Sequence, residues 1–257
     1  MNDVRIHTVP TLSTMAGIYA LSREGGPRSP RFGAYVGRVE HEWGLSAYNP
    51  MAGPQALETV QHLLALDAER LTDDEAGRIA ARCEFDGNFT LAVVVASKGM
   101  WTDRLATEVQ HRTTASRRLG HDIVMLWTGD AIDAEIVRRE SAAESVRTMW
   151  TSLHGPAMTL RAVLAREGLA YALASNPFGP STGEADTRVD EAIGVLGDTS
   201  TLGDIVAVLY GDIAATTLGW TTLGIGEYDG FRWAIARAAQ LVDRVGAREA
   251  LRTGSLP

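Results

Sequence analysis

The chain has 257 residues, 45% of them apolar and 22% charged, and a net charge of −8 at pH 7. That is enough chain for one sizeable domain or two small ones, with the composition of an ordinary globular protein. The negative balance excludes non-specific nucleic-acid binding, which needs clustered Lys and Arg to displace counterions; the densest basic pairs, Arg117–Arg118 and Arg138–Arg139, have carboxylates close by.

The opening stretch MNDVRIHTVPTLST has no basic segment leading into an apolar run, so no signal peptide is expected. The longest apolar run, Leu91–Ala96, is too short to cross a bilayer, and no membrane partner is expected. The single cysteine, Cys83, excludes an internal disulfide and suits a reducing compartment, so a cytoplasmic setting is expected.

In chain order, Ser13 or Thr14 can cap a short helix through Ile18 and Leu21, which GGPRSP then breaks. Phe32, Tyr35, Val36, Val39 and Trp43 recur at helical spacing up to Gly44. AYNPMAGP reads as a loop, and Gln55 to about Leu66 as a helix. Thr72-Asp73-Asp74-Glu75 has the form of a capping box, opening a helix to about Cys83.

The pattern then changes period. FTLAVVVAS is β-branched and almost continuously apolar, the signature of a strand buried on both faces. A helix follows from about Trp101 to Thr114. HDIVMLWTG, residues 121–129, is a second such strand, and Asp130 can cap a long helix through Leu153. Two apolar strands joined by a helix argue for a parallel βαβ unit. A further strand is expected near residues 4–9 or 44–48.

Beyond His154-Gly155-Pro156 a helix runs to about Ala174. NPFGPSTGEADTR, residues 176–188, reads as a linker. Helices are expected over 189–196, 202–218 and 231–251, with a glycine-rich connection at 219–230. The expected fold is α/β and helix-rich, with a small, mostly parallel sheet around 89–129. Residues 1–175 would form the α/β core, and 187–257 a helical C-terminal segment packed on it or on a partner subunit.

One residue stands out for chemistry. Lys98 is the only lysine against 23 arginines, and it sits where the first apolar strand ends. A lysine can form a Schiff base, shift its pKa, or act as a compact charge for phosphate, and arginine cannot do all three. Ligands of open α/β sheets bind beyond the carboxyl ends of the strands. There Ser97, Lys98, Gly99, Trp101, Thr102 and Asp103 follow one strand, and Thr128 and Asp130 the next. Lys98 would bind an anion or attack as a nucleophile, Thr102 would hydrogen-bond it, and Asp103 or Asp130 would act as a base or an orienting partner. Equally, Thr102, Asp103 and Asp130 can be nothing more than helix caps. Neither a Walker loop nor a dinucleotide fingerprint is present, and no pattern names a cofactor.

The reading these residues favour is a cytoplasmic enzyme acting on a small anionic metabolite. One rival is a metal enzyme built on the pairs Glu58/His62 and Glu108/His111, each on one helix face, with Glu40 or Glu42 around His41 adding a ligand. Another is a non-catalytic small-molecule binder or homo-oligomeric scaffold. Cys83, with Arg78, Arg82 and Glu84 near it and His41, His111 or His121 as a base, is a nucleophile only if its pKa is lowered; otherwise it is a buried apolar residue. Gly224-Ile225-Gly226 reads as a turn, while Trp101 and Trp127 can line a pocket.

Overall fold

The computed structural model describes residues 6–37, 49–97, 103–113 and 121–257. Three strands, β1 (Ile6–Val9), β2 (Phe89–Ala96) and β3 (Asp122–Trp127), form one all-parallel sheet in the order β1-β2-β3. The expected early strand is thus found at 6–9; the other position, 44–48, lies outside the described residues. β2 is central. From Leu91 to Ala96 every side chain is buried, as its unbroken apolar run requires. Ile6 pairs with Phe89 and Val9 with Ala92, whereas Leu91 pairs with Asp122 and Ala96 with Trp127. β2 and β3 therefore end side by side, and β1 ends four residues earlier.

Helices occupy the chain between and after the strands: α1 (Thr11–Ala20), α2 (Pro30–Ala34), α3 (Pro54–Ala65), α4 (Ala68–Arg82), α5 (Arg104–Thr113) and α6 (Ala134–His154). The rest is helical, with α7 (Leu160–Leu173), α8 (Gly183–Leu196), α9 (Leu202–Leu209), α10 (Asp212–Thr217), α11 (Asp229–Val245) and α12 (Ala247–Thr253). The chain is a helix-rich α/β protein, as its sequence predicts. No described helix is long and apolar enough to cross a membrane.

The described residues fall into two compact units. The first takes its residues from 1–77, 86–108 and 116–141, the second from 78–85, 109–115 and 142–257. The expected linker, 176–188, lies inside the second unit, and α8 begins within it, where the Thr182 side chain accepts from the Ala185 N–H.

Several expected helix ends move. The capping box at 72–75 is not one: Thr72 lies inside α4, its hydroxyl bonded to the Ala68 carbonyl one turn back and to Ser141. Asp133, not Asp130, caps α6, its Oδ1 taking the Ile136 N–H at 2.8 Å. The single helix expected over 202–218 is two, because Gly211 turns the chain at φ +86°; Gly246, at φ +84°, likewise divides α11 from α12. Residues 38–48, which hold the end of the helix expected through Trp43, lie outside the described residues.

In the second unit α7 and α11 form the centre. α7 is buried all round from Val163 to Tyr171, and α11 lays Phe231, Ala234, Ile235, Ala238 and Leu241 inward. Gly168 permits the close approach: a Cβ there would stand 2.5 Å from the Ala234 carbonyl oxygen, a backbone atom that cannot swing aside. Gly168→Ala is therefore expected to destabilise the protein by roughly 1–3 kcal/mol, even though alanine is the better helix former by about 1 kcal/mol. Urea unfolding measures the difference; a more stable variant would show that the helices separate freely.

Candidate functional site

The shared end of β2 and β3 is built by register. The Thr128 N–H donates to the Ala96 carbonyl at 2.9 Å, extending the ladder one residue past the strands. This brings the Thr128 hydroxyl to the Ser97 Oγ at 3.4 Å. Ser97 is buried, being only 7% exposed. Lys98, Gly99, Trp101 and Thr102 lie outside the described residues.

Arg104, in the first turn of α5, organises the far side. Its Nη1 and Nη2 donate to the two Asp130 oxygens at 2.7 and 3.0 Å, a fork meeting a fork, and its Nε donates to Glu108 at 2.8 Å. The guanidinium lies 5.3 Å from the centre of the Trp127 ring. Burial alone would lower the Arg104 pKa, but Asp130 and Glu108 outweigh it and raise the value. Asp130, met at both oxygens, orients the guanidinium. Asp103 caps α5, accepting the Ala106 N–H at 2.8 Å. Sequence spacing shows the Arg104–Glu108 contact, four residues apart, but not the Asp130 contact, twenty-six away.

The end of β1 is already filled. The Leu12 N–H, in the first turn of α1, donates to Glu69 Oε1 of α4 at 2.8 Å, and one turn on Asp73 accepts from Thr8. Burial raises the Glu69 pKa, with hydrogen bonds from Leu12 and Thr11 opposing. A carboxylate of the protein thus occupies the place an anion would take there. Among the described residues the strand order has no reversal, the feature that opens a switch-point crevice in doubly wound sheets. What distinguishes the β2/β3 end is its side chains.

The Glu/His pairs do not assemble into a metal centre. His62 Nε2 lies 2.7 Å from the Ile132 carbonyl, Glu108 is held by Arg104, and His111 faces Glu144 at 3.5 Å. Among the described residues no group of three or more His, Cys, Asp or Glu side chains could hold a metal ion. Glu40, His41 and Glu42 lie outside them. Cys83 is 2% exposed, and burial raises its thiol to about 11, with Arg82 only partly opposing. It stays protonated at neutral pH and packs as an apolar residue. Gly224-Ile225-Gly226 is a turn, held by the Asp212 carboxylate, which accepts the N–H groups of Leu223, Gly224 and Ile225.

The second unit encloses a charge network that no local pattern announces. Glu167, wholly buried, accepts from Arg147 Nε at 3.0 Å, Arg166 Nε at 3.0 Å and Arg112 Nη1 at 3.3 Å. Arg147 also donates to Glu144 at 3.0 Å and lies over the Tyr171 ring, 5.0 Å from its centre. Arg112 lies against Tyr171 and Phe231. Burial alone would raise both carboxyls. Instead His111 and Arg147 hold Glu144, and Arg147, Arg166 and Arg112 hold Glu167, each down to about 2.

Compared with known proteins, the chain matches no family model, no curated protein and no solved structure.

Because the folded values of Glu144 and Glu167 are depressed, their stabilisation is fully present above the ordinary carboxylate range. It is lost as pH falls from there towards about 2. Urea midpoints measured from pH 7 to pH 3 should fall steeply below about pH 4.5. Glu167→Gln should cost about 3–5 kcal/mol at pH 7, since it strands buried guanidinium groups, and should flatten that fall. A variant as stable as the parent at pH 7 would remove the network from the account of stability.

Proposed function

We propose that the protein is a cytoplasmic enzyme that binds a small anionic metabolite at the shared carboxyl end of β2 and β3. The observation that carries this reading is the buried Ser97 hydroxyl. Its one described side-chain partner is the Thr128 hydroxyl, at a long 3.4 Å. A buried hydroxyl held by one long hydrogen bond has capacity for a stronger one, and an anionic oxygen would accept its proton. Lys98 follows Ser97 directly in the chain and supplies the only primary ammonium of any side chain. In this reading Lys98 neutralises the anion or attacks as a nucleophile, and Ser97, Thr102 and Thr128 hydrogen-bond it. Gly99 and Trp101, which follow Ser97 in the chain, join it in this reading. Asp130, fixed by Arg104, orients the charge beside it, and Asp103 opens α5 there as its cap. The cytoplasmic setting rests on one buried, protonated cysteine.

Native mass spectrometry of the purified protein, before and after denaturation, is expected to release a bound anionic metabolite. In a thermal-shift series with inorganic phosphate and citrate, Lys98→Ala should weaken binding by about ten-fold or more, and Ser97→Ala by a few-fold. If Lys98→Arg and Lys98→Ala both retain full affinity and release the same metabolite, the lysine has no part in binding.

A second reading, a homo-oligomeric scaffold, draws on apolar side chains left in solvent: Val195 on α8 is 85% exposed and Ile213 on α10 is 66% exposed. It predicts a mass that rises with concentration and falls back in Val195→Lys with Ile213→Lys, read by light scattering. A concentration-independent monomer ends it.

A further inference from the structure

The second unit holds a cavity of about 470 Å³, within the size range of small-molecule sites. Its apolar lining includes Leu164 of α7, Ile193 of α8 and Trp233 of α11, and residues 254–257 contribute another wall. Three charged side chains reach it: Arg161, Asp190 and Asp198.

These three are not equivalent. Asp190 is engaged at both oxygens, accepting from Trp233 Nε1 at 2.9 Å and from Arg237 Nη2 at 3.3 Å. The Asp198 side chain is 97% exposed and stands 3.7 Å from Arg161 Nε, so water screens it. Arg161, whose side chain is 55% exposed, is tethered at one end and has donors to spare. Its backbone N–H is bonded to the Gly197 carbonyl at 3.0 Å, and its Nη2 donates to the Ile193 carbonyl at 3.1 Å. Gly197 makes room for the guanidinium, since a Cβ there would overlap it. No described residue accepts from Nη1. Arg161 is also the second residue of α7, where the helix dipole favours a negative ligand. An arginine fork beside an apolar, partly aromatic wall is a recognition element for a carboxylate carried on a hydrophobic body.

We infer that this cavity is a second small-molecule site, independent of the strand-end reading, and that it takes a small amphipathic carboxylate. The carboxylate meets Arg161, and the apolar body lies against Leu164, Ile193 and Trp233.

The test uses two probes with the same ring and opposite charge, phenylacetate and phenethylamine. Binding is followed by calorimetry and by the Trp233 indole N–H resonance, assigned through Trp233→Phe. Phenylacetate is expected to bind and move that resonance, and phenethylamine to do neither. Arg161→Gln should weaken phenylacetate binding ten-fold or more. Ala162→Trp, which fills the cavity from a half-exposed position, should abolish binding at an unchanged melting profile. Lys98→Ala should leave binding intact, which separates this site from the strand end. Equal binding of the amine would overturn the ligand class. A dissociation constant weaker than about 1 mM, or binding that survives Arg161→Gln but not Lys98→Ala, would overturn the site.

Discussion

β2 runs through the first unit with every side chain from Leu91 to Ala96 out of water. A strand buried on both faces cannot leave backbone N–H and C=O groups unpaired, because no solvent is there to take them. β1 and β3 meet that demand along its two edges, in parallel. Register follows from the same constraint. With Ala96 opposite Trp127, Ser97 and Thr128 must emerge together, and Arg104 meets Asp130 across the strand end. The candidate site is a consequence of how one buried strand is hydrogen-bonded.

The second unit solves a different problem. It buries Glu167 and Glu144 with Arg147 and Arg166, ions that each cost several kcal/mol to take out of water. The cost is offset because Glu167 is met from three sides by guanidinium groups and Glu144 by Arg147 and His111, and because Tyr171 and Phe231 offer ring faces to the cations. Removing one partner strands the rest, which ties α6 and α7 to a particular register. The Gly168 contact draws α7 against α11 more closely than any side chain would allow. Small residues and ion pairs together do what a purely apolar helix seam does elsewhere.

Much of this was legible from residue order. The β2 and β3 runs announce themselves by length and β-branching, and α3 by periodicity. The strand end was found because an apolar run stops there, and Lys98 because it is the only one of its kind. Other features were not legible because their cause lies far away in the chain. Thr-x-x-Glu is a local signature of a cap, but the Thr72 hydroxyl is used by Ala68 and Ser141. Asp130 stands before a helix where a cap would, and a distant arginine claims it. The breaks at Gly211 and Gly246 carried the local sign of a glycine, yet the apolar periodicity on either side concealed them.

By itself the sequence determined the class: a helix-rich α/β chain with a small, mostly parallel sheet and no clustered basic charge. Those properties depend on composition and short-range period, which the chain carries locally. Only the tertiary structure decided which carboxylates meet which arginines, which helix ends are capped from elsewhere, and where an arginine keeps donors free beside an apolar cavity. These depend on contacts between residues 20 to 69 positions apart, whose energies are comparable to those of local alternatives. Local order can propose such partners, but only the packed chain selects among them.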